Sequence, residues 1–145
     1  FDWFEDALLK EFEGKVKGRL AEPNDELRVL NRIIRQTEGG YEMEGDQRHG
    51  EIIVRDLGLT EESKPMAVPG RKPTKAELDV EPESLGPEDH TAYRARVARS
   101  NFLSSDRFDI AYTVKELCRR MSGPDVNDLA ALKRLGRYLL NKPRL

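Results

Sequence analysis

With 145 residues, 36% of them charged and a mean hydropathy of −0.71, the chain has material for one ordinary domain with an economical core. The single cysteine, Cys118, and two widely separated histidines, His49 and His90, exclude a disulfide framework and a metal cluster built on His and Cys spacing. No window reaches the roughly 18–20 apolar residues of a membrane span and no signal-peptide pattern is present, so the sequence reads as intracellular, in cytoplasm or nucleus, with no membrane partner.

The opening "DWFEDALLKEFEGKVKG" places Phe4, Leu8, Leu9 and Phe12 at helical spacing, with Asp2 as a possible cap and Gly14 as a stop. "ELRVLNRIIRQT" then predicts one strand, "EGG" a turn and "YEME" a short second strand, a hairpin from Leu27 to Glu44. Its inward face is ambiguous, because Val29 and Ile33 alternate against Leu30 and Ile34. A short helix follows, with an Asp cap near Asp46, Ile52, Ile53 and Leu57 on one side and Gly58 at its end.

Residues 61–92 carry five of the eight prolines and few large apolar side chains, the composition of an extended, mobile connector. Beyond it, residues 93–145 predict three helices. The middle one buries Ile110, Val114, Leu117, Cys118 and Met121, and the last buries Leu129, Leu132, Leu135 and Leu139. The fold class is therefore α+β and mostly helical. An end piece with helix, hairpin and short helix (1–60) is joined by a linker (61–92) to a three-helix lobe (93–145). The chain starts at Phe1 inside a helical pattern and ends on "NKPRL", which reads as a fragment of a longer polypeptide.

Asp106 and Asp109, three residues apart in "SSDRFDIAYTVKELCRRM", are the carboxylate pair with the strongest claim to chemistry. A metal-dependent enzyme needs paired carboxylates, but usually from separate elements, and no third acidic partner is evident. The same spacing suits a helix start, with Asp106 as N-cap and Asp109 at N3, and structural capping is the reading adopted for both. No catalytic and no metal-binding residue is assigned. Cys118 falls in a buried stripe and reads as core.

Charge is distributed unevenly. Residues 93–145 hold 12 Lys and Arg against 5 Asp and Glu, whereas residues 1–92 hold 13 against 22. A basic C-terminal part fits a polyanion partner, although a solvated helix surface has the same composition. Arg96 and Arg99, Lys115 and Arg119, and Lys133, Arg134 and Arg137 are the cations at helical spacing that could meet phosphates.

Tyr93-Arg94, Val97, Phe102-Leu103, "DRFDIAYTVKELCRRMSGP" and "AALKRLGRYLL" together resemble the C-terminal part of the reverse transcriptase domain of copia-type LTR retrotransposons, whose pattern runs from "RPDI" to "KRxLRYL". "LLKEFEGKVKGRL", the hairpin and "LGLTEESKPMAVP" are compatible with the preceding part. The chain departs from the pattern at Phe108 (usually proline), Arg96 (leucine), Ala98 (glycine), Asn31 (glycine) and Gly50 (tyrosine), which marks a divergent lineage.

The resemblance implies a piece of a Pol polyprotein: the end of a palm, a thumb-like lobe and the connection toward RNase H. Its parent would be an RNA-directed DNA polymerase using Mg2+. The polymerase signature Y-x-D-D occurs nowhere in the chain, so this piece would grip an RNA–DNA or DNA template-primer duplex without supplying catalysis or holding a cofactor. The hairpin would position the primer end and the basic helices would contact the backbone. A stand-alone nucleic-acid-binding module, a structural helical remnant of a dead element, and an independent enzyme using Asp106 and Asp109 remain as alternatives.

Overall fold

In the computed structural model, which describes residues 2–144, the backbone forms α1 (Asp2–Glu11), β1 (Glu26–Val29), β2 (Arg32–Thr37), β3 (Gly40–Gly45), α2 (Arg48–Asp56), α3 (Lys75–Leu78), α4 (Pro87–Ser104), α5 (Phe108–Cys118) and α6 (Val126–Asn141). The class is α+β and mostly helical, as the periodicity implied. The chain divides into two units, Phe1–Glu44 and Gly45–Leu145.

In the first unit, Arg19 turns the chain back on α1 through ion pairs to Asp2 and Glu5. The α1 apolar stripe forms as spaced, but no residue of the helix is buried and Phe4, Leu8, Leu9 and Phe12 are exposed. The sheet is a three-stranded antiparallel meander in the order β1-β2-β3. The single strand expected over "ELRVLNRIIRQT" is in fact two. Leu30 and Asn31 both adopt left-handed φ (51° and 60°), and the chain reverses between Val29 and Arg32.

Two consecutive positive φ values give the hairpin turn whose twist matches that of the strands. Asn tolerates this conformation; a leucine there carries about 1 to 2 kcal/mol of backbone strain. The reversal also resolves the ambiguous face. Leu27 pairs opposite Ile34 and Arg28 opposite Ile33, so Leu27, Val29 and Ile34 share one face while Ile33 and Arg35 share the other. On that second face, Arg35 of the central strand pairs with Glu26 of β1 at 2.8 Å and Glu44 of β3 at 3.4 Å.

The second unit is a helical assembly whose core gathers Ile53 and Leu57 of α2, Tyr93 and Val97 of α4, and Leu132 of α6, with Ile110 and Val114 of α5. Asp46 is buried and prepares α2 from one residue before its N-cap: its carboxylate accepts from the Arg48 N–H and from the Arg48 guanidinium at 2.9 and 2.7 Å. Gln47, not Asp46, occupies the cap position. Gly58 ends the helix at φ 67°. The Leu59 N–H reaches back to the Val54 carbonyl and the Gly58 N–H to that of Arg55, which satisfies two terminal acceptors.

The lobe boundaries expected from composition differ from the structure. The division falls after Glu44 rather than within 61–92, because α2 packs on α4 and α6. Gly136 makes that approach possible: a Cβ there would lie 2.6 Å from Leu57 Cδ1 and 2.7 Å from Leu59 Cδ1.

Residues 61–92 also run along the second unit rather than forming a free connector. Asn141 Nδ2 donates to the Met66 carbonyl at 3.3 Å, Gly70 abuts Thr113, and Met66 and Leu85 pack on the core. Ser84 bridges to Asp125, with the Leu85 N–H donating to the Pro124 carbonyl and the Val126 N–H to that of Glu83. Proline-rich composition reports the lack of helix and of ladder donors; it does not report side-chain anchoring. Within the segment, α3 closes with a capping box between Thr74 and Glu77, and Arg71 grips the Glu77 carboxylate. The guanidinium and the Thr74 donors hold that carboxyl at a pKa of about 2.

Candidate nucleic-acid interface

The two aspartates that sequence spacing singled out occupy different elements. Asp106 lies in the turn closing α4, where its N–H donates to the Leu103 carbonyl at 3.1 Å. The N-cap of α5 is Arg107, with no side-chain capping bond, so the cap expected at Asp106 is not formed and Asp109 sits second in the helix rather than third.

For Asp109 the reason is a stronger use for its carboxylate. Buried Arg107 donates from Nε and Nη2 to both Asp109 oxygens at 2.9 and 2.7 Å, and from Nη1 and Nη2 to the carbonyls of Pro143 and Lys142 at 2.9 and 3.1 Å. Tyr138 Oη donates to Asp109 Oδ2 at 2.7 Å. The "DRFD" stretch therefore clamps the start of α5 to the end of α6. Burial alone would raise the Asp109 carboxyl, but the Arg107 guanidinium and Tyr138 hydroxyl more than offset it and hold the pKa below the ordinary aspartate range.

Both Asp109 oxygens are thus committed to protein donors, which does not fit a catalytic metal ligand. Among the described residues, no three His, Cys, Asp or Glu side chains converge on a point where an ion could sit. Cys118 has its thiol pushed up by burial, the reverse of an activated nucleophile.

The opposite end of α5 is held from α4. Tyr93 Oη donates to the Leu117 carbonyl and His90 Nε2 to that of Met121 just past the helix, each at 3.0 Å, which ties the end of α5 and the turn after it to α4. Burial pushes the Tyr93 hydroxyl far above its ordinary value, so it remains a donor.

The seven cations expected to face phosphate lie on three helices. On α4, Arg96 and Arg99 are half-buried. Arg99 Nη1 stands 3.3 Å from His49 Nδ1 of α2, and the His49 ring packs on Phe102 at 4.8 Å. Burial and the neighbouring Arg99 charge lower the His49 pKa, so the imidazole is neutral and accepts from Arg99. That pair joins two helices and draws Arg99 inward.

Lys115 on α5 and Arg119 at its C-cap are exposed and flank Glu116 at 3.3 and 3.4 Å. Lys115, then Arg119, lowers the Glu116 carboxyl, so the group stays anionic between them. On α6, Lys133 is exposed and Arg134 and Arg137 are half-buried, on the side away from the buried Leu132, Leu135 and Leu139. The Nε atoms of Arg134 and Arg137 are buried, and neither makes a hydrogen bond among the described residues. The α6 trio forms one continuous face, the α5 pair a second, and no hydrogen bond among the described residues links the sets.

Two aromatic side chains that spacing arguments passed over stand on the α5 face. Phe108 is 81% exposed and Tyr112 70%, with the Lys115 ammonium 5.2 Å from the Tyr112 ring centroid. Their signal was present in the sequence: positions 108, 112, 115 and 119 are one helical stripe, opposite the buried stripe of 110, 114 and 117. The exposed half of an amphipathic pattern is easily discarded as solvent-facing.

Among curated proteins, the chain is similar to the uncharacterized mitochondrial protein AtMg00810 of Arabidopsis thaliana. The two are 32% identical over 92 residues. That match covers 63% of this chain and 36% of the other, so the chain spans about a third of its relative. No family model matches the chain. No solved structure matches it. Among the described residues, no helix is long and apolar enough to cross a membrane.

Arg120 and Gly136 were also missed. Arg120 donates to Asp125 at 2.9 Å and Asp128 at 3.0 Å, binding the end of α5 to the start of α6, and its signal was the second D-x-x-D in "PDVNDLA". Gly136 had no such signal, since its role depends on which helix crosses α6.

Proposed function

We propose that the chain is a piece of a copia-type retroelement reverse transcriptase that supports template-primer binding and leaves nucleotide transfer to other parts of the enzyme. The observation that carries this is the side of α6 that bears exposed Lys133 and half-buried Arg134 and Arg137, opposite the Leu132, Leu135 and Leu139 stripe, with no carboxylate paired to any of the three among the described residues. Such a face gains free energy by releasing counterions from phosphates and needs no base edges, which suits a duplex gripped regardless of sequence. The similarity to AtMg00810 supports a retroelement-related origin. The "DRFD" and "KRLGRYLL" stretches that resemble the family supply the α5–α6 clamp and this face.

Mg2+ belongs to the proposed parent polymerase, since the chain has no Y-x-D-D sequence and its Asp109 is committed to Arg107 and Tyr138. The proposed partners are an RNA–DNA or DNA template-primer duplex and the rest of the Pol polyprotein.

The test is binding of the full chain to an RNA–DNA hybrid over a salt series. Lys133→Gln, Arg134→Gln and Arg137→Gln combined should flatten the slope of log affinity against log salt by about 2 to 3, near 0.9 for each phosphate that is no longer neutralised. Absent or salt-independent binding would overturn the proposal and favour a structural remnant.

A further inference from the structure

We infer that the exposed face of α5 binds single-stranded nucleic acid by stacking unpaired bases on Phe108 and Tyr112, with Lys115 and Arg119 taking the adjoining phosphates. This rests on the nucleic-acid-binding reading above and names a second class of ligand for it. The four side chains follow one another at intervals of four, three and four residues. At the rise of a helix, the Cα atoms of Phe108 and Tyr112 are thus about 6 Å apart along the axis, and those of Lys115 and Arg119 about 4.5 and 10.5 Å beyond Tyr112.

Phe108 and Tyr112 are 81% and 70% exposed, and the side chains of Lys115 and Arg119 are 63% and 68% exposed, so the whole stripe is open. The opposite side of the helix is closed, with Ile110, Val114 and Leu117 in the core. Packing therefore does not account for two large rings on the open side.

Charge selects the occupant. Aromatic rings followed by cations along one stripe suit a polyanion that also has π faces, and Lys115 already lies over the Tyr112 ring in cation–π geometry. An apolar protein surface would have to desolvate two cations that share the single carboxylate of Glu116, leaving one positive charge without a counter-charge. Bases within a duplex have their faces covered by one another, so only an unpaired strand can stack on these rings. Asp109, the carboxylate nearest the rings on this helix, is neutralised by Arg107, whereas Glu116 flanks the cations and must be displaced from them by phosphate.

The experiment compares binding of a fluorescent oligothymidylate, its abasic sugar-phosphate counterpart and an RNA–DNA hybrid to the full chain and to Phe108→Ala, Tyr112→Ala and Tyr112→Phe. Both positions are exposed, and equal thermal unfolding midpoints confirm that the variants fold. Each alanine should weaken oligothymidylate binding about fivefold or more, as expected for loss of one stacked base. Tyr112→Phe should restore it, and the abasic strand should bind weakly and be insensitive to all three changes.

Alanine variants that bind oligothymidylate as the parent does would overturn the inference while leaving hybrid binding, and so the proposed function, intact. If those variants also sediment differently from the parent, the stripe is a protein contact instead. A parent that binds no nucleic acid sinks both.

Discussion

Asp106 to Asp109 and Asp125 to Asp128 have the same D-x-x-D spacing, each just before a helix, yet only the second pair forms a capping box. Asp125 has an extended backbone (φ −118°, ψ 179°) after Pro124. Its carboxylate accepts from the N–H groups of Asn127 and Asp128, and Asp128 reaches back to the Asp125 N–H. Asp106 is still in the closing turn of α4, and Asp109 is taken by Arg107 and Tyr138. A local motif succeeds where the preceding backbone leaves the helix start free. It is overridden where a buried guanidinium and a residue 29 positions away compete for the carboxylate.

The largest effect should come from the clamp. Arg107→Ala leaves the half-buried Asp109 charge without its counter-charge, with only Tyr138 still donating to it, and two terminal carbonyls without their donor, and should cost about 3 kcal/mol or more in urea unfolding. A loss below about 1 kcal/mol would mean that the "DRFD" pair is no more than the local cap its spacing suggests. Tyr138→Phe removes one hydrogen bond to a charged acceptor without changing packing and should cost about 1.5 to 2 kcal/mol. In a double-mutant cycle with Asp109→Asn the two losses should not add, because they share one hydrogen bond.

The capping box should be weaker. Asp125→Ala is expected to cost about 1 kcal/mol, mostly through fraying of the first turn of α6, read by amide hydrogen exchange there. An effect equal to that of Arg107→Ala would erase the distinction between the two sites. The finest test is pH. Because the folded Asp109 pKa is depressed, the clamp contributes fully above about pH 4, the ordinary aspartate value, and is lost as pH falls through the lower folded value. The thermal midpoint of the parent should therefore drop more steeply below about pH 4 than that of Asp109→Asn.

Much of the second unit was legible from periodicity. Ile110, Val114 and Leu117, and Leu132, Leu135 and Leu139, are buried as spaced, because a helix must turn its apolar stripe to a core. Leu129 and Cys118 are only half-buried, since they lie at the margins of those stripes, and Met121 is half-buried in the turn after α5 ends at Cys118. The Leu30-Asn31 turn was hidden because no Gly or Asp marks it, and a leucine in left-handed conformation runs against local preference. The candidate site was legible as cations at helical intervals. That Arg99 meets His49, while Arg134 and Arg137 are half-buried with no hydrogen bond to their Nε atoms among the described residues, depends on which helix lies beside each.

The sequence by itself determined the helical stripes, the α+β class and the basic character of the last 53 residues, because these follow from side-chain order along one element. Only the tertiary structure decided that Asp109 belongs to a clamp, that Gly136 seats α2, that 61–92 is tied down, and that Phe108 and Tyr112 remain uncovered. Each of these is a relation between elements distant in the chain, and hydrogen bonding and packing across such distances leave no local period to read.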